Sequence, residues 1–459
     1  MKLMQEYKTQ SIYIFLGLIA LLFPFFKPVY FLLAFIVFAF VFSRFKSGSS
    51  VFSLLARESD IIAGNLISLT QLLLIMAFLF FIGIILNFDK FPLFIIGGAF
   101  TITTLGDGLA DMINIYDKAK KEKLHDNIKI YSAKSSIVFL ISGSIFAFLF
   151  CVWIYYFTLE APYGIPYGML FFLAVLGALT GALLESITKN EDNIIIPFGS
   201  AMTMWLFYNF RYSYDVDTLY LIKVLIFAFI LGYLSYRARI ADISAMLSAT
   251  LIGVIIIISS DISSFFVLLT FFLLGSLFTR YKYSYKLAHG TAEKKGGVRG
   301  YKNVFSNSLA ALAIAVAIGI FPTHRLLLLS AFLGSIATAC GDTLASEIGE
   351  TYSKEPRMIT TFQKVKPGTD GGISPLGEFA AFFGANAIAF MAFILIPDIR
   401  NNAYILLIVI AGGFIGTNID SVLGATFQQK GYLTNNGVNL LATISGAIVS
   451  GVLYHLMGS

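Results

Sequence analysis

About fifteen apolar runs, most of them long enough to cross a bilayer, follow one another along this chain of 459 residues with only short polar breaks between them. No other feature constrains the fold as strongly. In lipid, a run of ~20 apolar residues satisfies its own backbone only as a helix, because an open strand leaves N–H and C=O groups unpaired. The runs are continuous and do not alternate, which sets aside a β-barrel. The expected fold is an all-α polytopic integral membrane protein with about 15 transmembrane helices. The first two runs, near residues 12–26 and 28–43, are short enough to form a re-entrant hairpin instead. Composition agrees: 58% of residues are hydrophobic and 13% charged, where a soluble domain carries roughly a quarter charged. No small-residue cleavage site precedes the second run, so no removable signal peptide is expected. Cys151 and Cys340 both lie in apolar runs and suggest no disulfide framework. No basic-aromatic surface suited to nucleic acid is visible, and the lone histidines His289, His324 and His455 read as structural.

Charge placement gives an orientation. With the N-terminus in the cytoplasm, the N-terminus and the connections after even-numbered runs hold 26 of the 32 lysines and arginines. That asymmetry is what the positive-inside rule asks for. The chain is expected in a cell membrane, with its largest cytoplasmic loops at Lys118–Lys134, Arg280–Lys302 and Tyr352–Ser374.

Acids inside apolar runs carry the functional signal. A carboxylate at the centre of a span costs ~2.5–3.5 kcal/mol on insertion scales, so its presence asks for a use. Asp342, Glu347 and Asp420 are such acids in the second half. Asp107, Asp111, Glu185, Asp192 and Asn193 are their counterparts in the first. All fall at the cytoplasmic ends of their runs, as do Asn435, Asn436 and Asn439. Hard oxygen ligands of this kind suit Mg²⁺, which binds one or two carboxylates plus substrate phosphates. Asp342 and Asp420 are the expected metal ligands, with Glu347 beside them. Glu347 lies five residues after Asp342, ~140° around a helix, so a bent or unwound helix end is needed to bring both to one ion.

The loop between two of these runs reads as an anion site. Lys366-Pro-Gly368-Thr369-Asp-Gly371-Gly372 is a compact turn whose successive N–H groups can form a concavity for phosphate. The next run begins at Ser374-Pro375 and would add a helix N-terminus. Lys364 and Arg357 lie on the same loop. Lys294-Lys295-Gly-Gly-Val-Arg299 is a second basic, glycine-bearing loop. It suits either a nucleotide phosphate or an anionic lipid headgroup.

A weak internal repeat is present. Gly106-Asp107-Gly-Leu-Ala returns as Gly341-Asp342-Thr-Leu-Ala, and the interval from Asp107 to Glu185 equals that from Asp342 to Asp420. The expected organisation is two parallel, related halves, at 1–215 and 242–459, joined by a connecting helix at 216–241.

The second-half motifs resemble one family. Lys295-Gly-Gly-x-Arg, Gly341-Asp-Thr-Leu-Ala-Ser-Glu-Ile-Gly, Ile359-Thr-Thr-Phe, Val365-x-Pro-Gly-Thr-x-Gly-Gly-x-Ser374, Asp420-Ser-x-Leu-Gly-Ala-Thr and Leu433-Thr-Asn-Asn-x-Val-Asn439 are similar to the phytyl-phosphate kinase family. That family includes transmembrane protein nineteen. The resemblance covers about residues 242–459. It implies transfer of a phosphoryl group from a nucleoside triphosphate, CTP or ATP, to an isoprenoid monophosphate. The first half resembles the phytol and dolichol kinases and the lipid cytidylyltransferases, on Gly106-Asp-Gly-Leu-Ala-Asp111, Lys123-Leu and Glu185…Asp192-Asn193…Pro197. Two motifs of that group are missing, an N-terminal Arg-Lys-x-x-His and a Lys-Ser-x-Glu-Gly-Ser. The first half is therefore read as a scaffold or as an alcohol kinase with altered chemistry.

The sequence-based expectation is thus a Mg²⁺-dependent, membrane-embedded isoprenoid phosphate kinase acting at the cytoplasmic face. A transporter of a lipid phosphate or small anion and a lipid cytidylyltransferase are the alternatives.

Overall fold

The structure is a computed structural model that describes residues 2–120, 132–158, 164–188, 192–210, 216–352 and 354–458. The described residues are helical nearly throughout, as expected of an all-α polytopic membrane protein. Among the described residues, twelve helices are long and apolar enough to cross a membrane, including Ile67–Leu86, Tyr167–Ile187 and Pro375–Leu395. Two shorter apolar helices, Pro28–Phe42 and Ile243–Ser259, and the helix Asp192–Asn209 account for the other three apolar runs.

The N-terminal helix begins at Lys2 and runs to Gly17, then tightens into a 3₁₀ segment, Leu18–Phe25, that contains Pro24. Proline removes a backbone donor and crowds the preceding turn, so the helix narrows and ends there.

The chain divides into two compact units, Met1–Lys223 and Val224–Ser459. In the first, the Ala133–Phe157 helix packs between Leu93–Thr101 and Tyr167–Ile187, and Tyr167–Ile187 packs against Asp192–Asn209. A π-helical turn, Ile102–Gly106, interrupts the helix that carries Asp107. Such turns widen a helix locally and often accompany functional sites.

In the second unit the Arg325–Gly349 helix is the hub. Pro375–Leu395, Ile405–Leu423 and Asn435–Gly458 all pack against it. Glycines make the approach possible. A Cβ on Gly341 would stand 2.6 Å from Thr417 Oγ1, and one on Gly416 would stand 2.2 Å from Thr338 Oγ1. Without a hydrophobic drive between helices in lipid, such close backbone packing is what holds them together. The loop from 350 to 374 carries a two-stranded antiparallel pair, with Arg357 opposite Ile373 and Met358 opposite Gly372.

Candidate functional site

Asp342 lies two turns before the end of its helix, and Asp420 lies in the last turn of Ile405–Leu423. The close packing at Gly341 and Gly416 brings these helix ends together, and the two carboxyl groups come within hydrogen-bonding reach of each other. Asp420 Oδ2 is buried with no hydrogen-bond partner. An orphaned buried oxygen beside a second carboxylate is a donor set for a hard cation.

The glycine-rich loop sits directly on the Asp420 helix. Gly371 has φ +76°, and a Cβ there would stand 2.5 Å from Ala425 N and 2.6 Å from the Ser421 carbonyl oxygen. Only glycine combines that left-handed backbone with such proximity. Thr369 N–H donates to the Lys366 carbonyl at 3.2 Å and Gly372 N–H to the Thr369 carbonyl at 2.9 Å. Those two donors therefore serve the loop's own turns. Gln429 Nε2 donates to the Asp370 carbonyl at 2.8 Å, and Ser374 Oγ caps the following helix by accepting from Gly377 N at 3.1 Å.

A wall of amides lies on two further helices. Asn439 Nδ2 donates to Asn307 Oδ1 at 3.4 Å, and Asn307 Nδ2 donates to the Asn303 carbonyl at 2.9 Å. These groups and Asn435 line a cavity of about 260 Å³ together with Asp342, Asp420 and the glycine loop.

The acid Glu347 is already engaged. Its helix continues unbroken to Gly349, so no bend turns it towards Asp342, although both residues line the cavity. Oε1 accepts from Thr279 Oγ1 at 2.6 Å, and Oε2 takes an ion pair from Lys286 Nζ. Lys286, fully buried, also donates to the Thr279 carbonyl at 2.9 Å. Arg299 Nη2 donates to Thr279 Oγ1 at 3.4 Å, and its backbone bonds Ile240 and Asp242 at 2.9 Å each. Arg299 is thus held from both sides at the cavity wall.

Seven carboxylates line the cavity, from Glu293, Asp342, Glu347, Glu350, Asp370, Glu378 and Asp420, against Arg299 as the basic residue among the described lining. Burial holds Glu350 at about 7, helped by the nearby charge of Glu347. Burial lowers the Arg299 guanidinium, while Glu347, Glu293 and Asp342 pull the other way. A cavity of this sign admits phosphate only with cations to offset the acids.

The remaining expected residues fall elsewhere. Lys364 pairs with Glu355 at 3.3 Å on the exposed surface, and neither it nor Lys366 lines the cavity. Asn436 accepts from Ser306 Oγ at 3.5 Å behind the lining. The side chain of Lys295 and the whole of Lys123 lie outside the described residues. Sequence reasoning missed Lys286, Asn307, Glu350 and Asp370. Lys286 and Asp370 lie in the long polar stretches between apolar runs, and Asn307 near the start of an apolar run.

The first unit gathers its own acids. Carboxylate oxygens of Asp107, Asp111 and Glu185 all lie within 4.8 Å of one another. Arg57, unremarked in the sequence, donates to Asn193 Oδ1 at 3.1 Å and stands 3.7 Å from Asp107. Gln10 Nε2 donates to Asp111 Oδ2 at 2.7 Å. Asp192 Oδ1 accepts from Thr188.

The molecule is therefore a multi-pass integral membrane protein with an acidic, glycine-lined cavity at the helix ends of its second unit. It belongs to the family described as integral membrane protein DUF92, whose model matches residues 226–447. An uncharacterized membrane protein of Methanocaldococcus jannaschii is 35% identical over 225 residues, 49% of this chain and 90% of the relative. An uncharacterized membrane protein of a Synechocystis species is 37% identical over 204 residues, 44% of this chain and 78% of the relative. The chloroplastic protein VTE6 of Arabidopsis thaliana is 30% identical over 218 residues, 45% of this chain and 63% of the relative. No solved structure matches the chain significantly.

Proposed function

We propose that the second unit transfers the γ-phosphoryl group of a nucleoside triphosphate to an isoprenoid monophosphate. The products would be the isoprenoid diphosphate and the nucleoside diphosphate. A phosphate oxygen of the lipid attacks the γ-phosphorus, and the bond to the β-phosphate oxygen breaks. The observation that carries this reading is the pairing of Asp342 with Asp420 under the glycine loop, inside a cavity rich in carboxylates. The motifs that resemble the phytyl-phosphate kinases all fall within the family-matched residues. The match with protein VTE6 supports the same direction.

Phosphoryl transfer needs mainly positioning and charge neutralisation. Asp342 and Asp420 would hold Mg²⁺, which when bound would offset the charge of the phosphates. Arg299 would bind a non-bridging phosphate oxygen, and the amides of Asn307, Asn435 and Asn439 would orient neutral polar groups of the donor. At about 260 Å³ the cavity is below the usual range of ~300–1,000 Å³ for drug-sized ligands. It suits phosphate groups and an ion, with the isoprenoid tail left among apolar helices. The basic loops on this side favour a cytoplasmic orientation in a cell membrane.

The repeat is part of the proposal. Two parallel, related halves would set Asp107 and Glu185 of the first in correspondence with Asp342 and Asp420 of the second, at the equal sequence interval noted above.

The test is release of nucleoside diphosphate by purified protein in detergent with Mg²⁺. Release that requires geranylgeranyl phosphate supports a lipid phosphate kinase. Release of pyrophosphate instead would mean a cytidylyltransferase. Movement of the lipid phosphate across a vesicle with no nucleotide consumed would mean a transporter.

A further inference from the structure

The Ile359-Thr-Thr-Phe362 motif has no part in the proposed reaction, yet it forms a tight tip on the cavity wall. Arg357 and Met358 pair with Ile373 and Gly372, and the last two line the cavity. Beyond that pair the chain turns back on itself. Met358 N–H donates to the Gln363 carbonyl at 2.9 Å, and Phe362 N–H donates to the Met358 carbonyl at 2.8 Å. Ile359 N–H donates to the Gly371 carbonyl at 3.0 Å, and Val365 N–H to the Pro356 carbonyl at 2.9 Å. Gly371 and Pro356 are lining residues too. From Ile359 to Phe362 the chain can reach at most ~10 Å, so the tip stays close to the cavity.

Phe362 is the unusual residue of this tip. Its φ is +56°, in the left-handed region where a Cβ is crowded and glycine is the usual occupant. It is 63% exposed, so packing of the ring does not offset that conformation. The surrounding hydrogen bonds impose it, including one from Arg357 Nη1 to the Phe362 carbonyl at 3.3 Å. An aromatic side chain presented to solvent on strained backbone has the mark of a ligand contact.

Its neighbours indicate the ligand. Thr360, Thr361 and Gln363 are exposed beside it and offer hydroxyls and an amide. Arg357, Lys364 and Lys366 are exposed as well and supply positive charge outside the acidic cavity. A π-face flanked by hydrogen-bonding groups and cations matches a nucleobase that carries phosphates, since every base has a face to stack. A lipid surface would call for a broader apolar patch, and these polar flanks would have to be desolvated with the ring. The cavity of about 260 Å³ suits phosphates and an ion, which leaves the nucleoside outside it.

We propose that Phe362 stacks on the base of the nucleoside triphosphate donor and that the 359–364 tip is its nucleoside subsite. The proposal rests on the nucleotide-using reading above, but not on the identity of the acceptor.

The test places a reporter at the tip with Phe362→Trp. Full-length protein in detergent is titrated with CTP or ATP and Mg²⁺ while tryptophan emission is followed. The wild type is the control, because its Trp153 and Trp205 both lie in the first unit. The expected result is saturable quenching by the nucleotide in the variant alone. Inorganic tripolyphosphate, which has the phosphates without the base, should not quench. Phe362→Ala should raise the nucleotide KM by about tenfold, the scale of one lost base stack, and more than it lowers kcat. Phe362→Gly should weaken the nucleotide equally while keeping or raising Tm, since glycine relieves the left-handed backbone. That variant separates a ligand contact from a folding role. No quenching by either nucleotide, or equal quenching by tripolyphosphate, would overturn the proposal. So would a blue shift of the new emission in anionic vesicles without nucleotide quenching, which would place the tip on the membrane. Nucleotide quenching without phosphoryl transfer to geranylgeranyl phosphate would sink the kinase while the stacking site stands. Transfer with a KM indifferent to Phe362→Ala would do the reverse.

Discussion

Lys286 and Glu347 form a buried ion pair that joins the short Tyr283–Ala288 helix to the end of the Arg325–Gly349 helix. The ammonium also reaches the last carbonyls of the Ile262–Arg280 helix, so three elements meet at one charge. Removing one partner strands the other in an apolar setting, at a cost of about 3–5 kcal/mol. Lys286→Met should therefore lower Tm sharply. Lys286→Met/Glu347→Gln should recover much of the loss. Thermal unfolding of the three proteins in one detergent checks this, and additive losses would contradict it.

Asp342 and Asp420 carry the opposite expectation. Each carboxylate burdens the fold by its proximity to the other, so Asp342→Asn or Asp420→Asn should keep or raise Tm. Transfer activity should fall by a factor of about 100 to 1,000 or more, the loss typical when a group aimed at transition-state charge is removed. Tm and turnover measured on the same preparations separate the two effects.

Gly371→Ala tests the seat of the loop. The new Cβ would meet the Ala425 backbone nitrogen at 2.5 Å, at a φ of +76°. Backbone cannot yield as a side-chain tip does, so the loop must lift from the Asp420 helix. The expected result is a large loss of activity with Tm lowered by only a few degrees. Activity close to wild type would show that the loop does not contribute to the site.

Glu350 gives a pH dependence. Burial, aided by Glu347, holds its carboxyl at about 7 against an ordinary 4.5. Between those values the native protein keeps a proton that the unfolded chain has released. Stability from this group is therefore fully present below about pH 4.5 and falls as pH rises towards 7. Glu350→Gln should match the wild type near the acid end and exceed its Tm at about pH 8. A Tm difference that does not change with pH would contradict the assignment.

Arg325 is a purely structural test. Its Nε and Nη2 bond Asp398 at 2.8 Å and Asp261 at 2.7 Å, and all three side chains are partly exposed. Solvent screening keeps such pairs near ~1 kcal/mol or less. Arg325→Met should lower Tm slightly and leave turnover unchanged.

How much of this was legible in the sequence differs residue by residue. Asp342 and Asp420 stood out because a carboxylate in an apolar run has no ordinary explanation, and an equal interval separates their first-half counterparts. The helices were legible for the same reason, since apolar length in lipid admits little else. Lys286 was not, because it looks like any other lysine of a basic loop until the fold presses it against Glu347. For Glu347 the distance from Asp342 around the helix was legible, but the buried lysine it would face was not. Arg57 and Gln10 come from short or terminal helices with no apolar pattern to mark them.

The most direct measurement follows the label. Purified protein is incubated with Mg²⁺, geranylgeranyl phosphate and γ-labelled CTP or ATP, beside the Asp420→Asn variant, and the lipids are chromatographed. The expected result is label on geranylgeranyl diphosphate with the wild type and none with the variant. Unlabelled lipid with both nucleotides, or equal labelling by the variant, would contradict the proposed kinase.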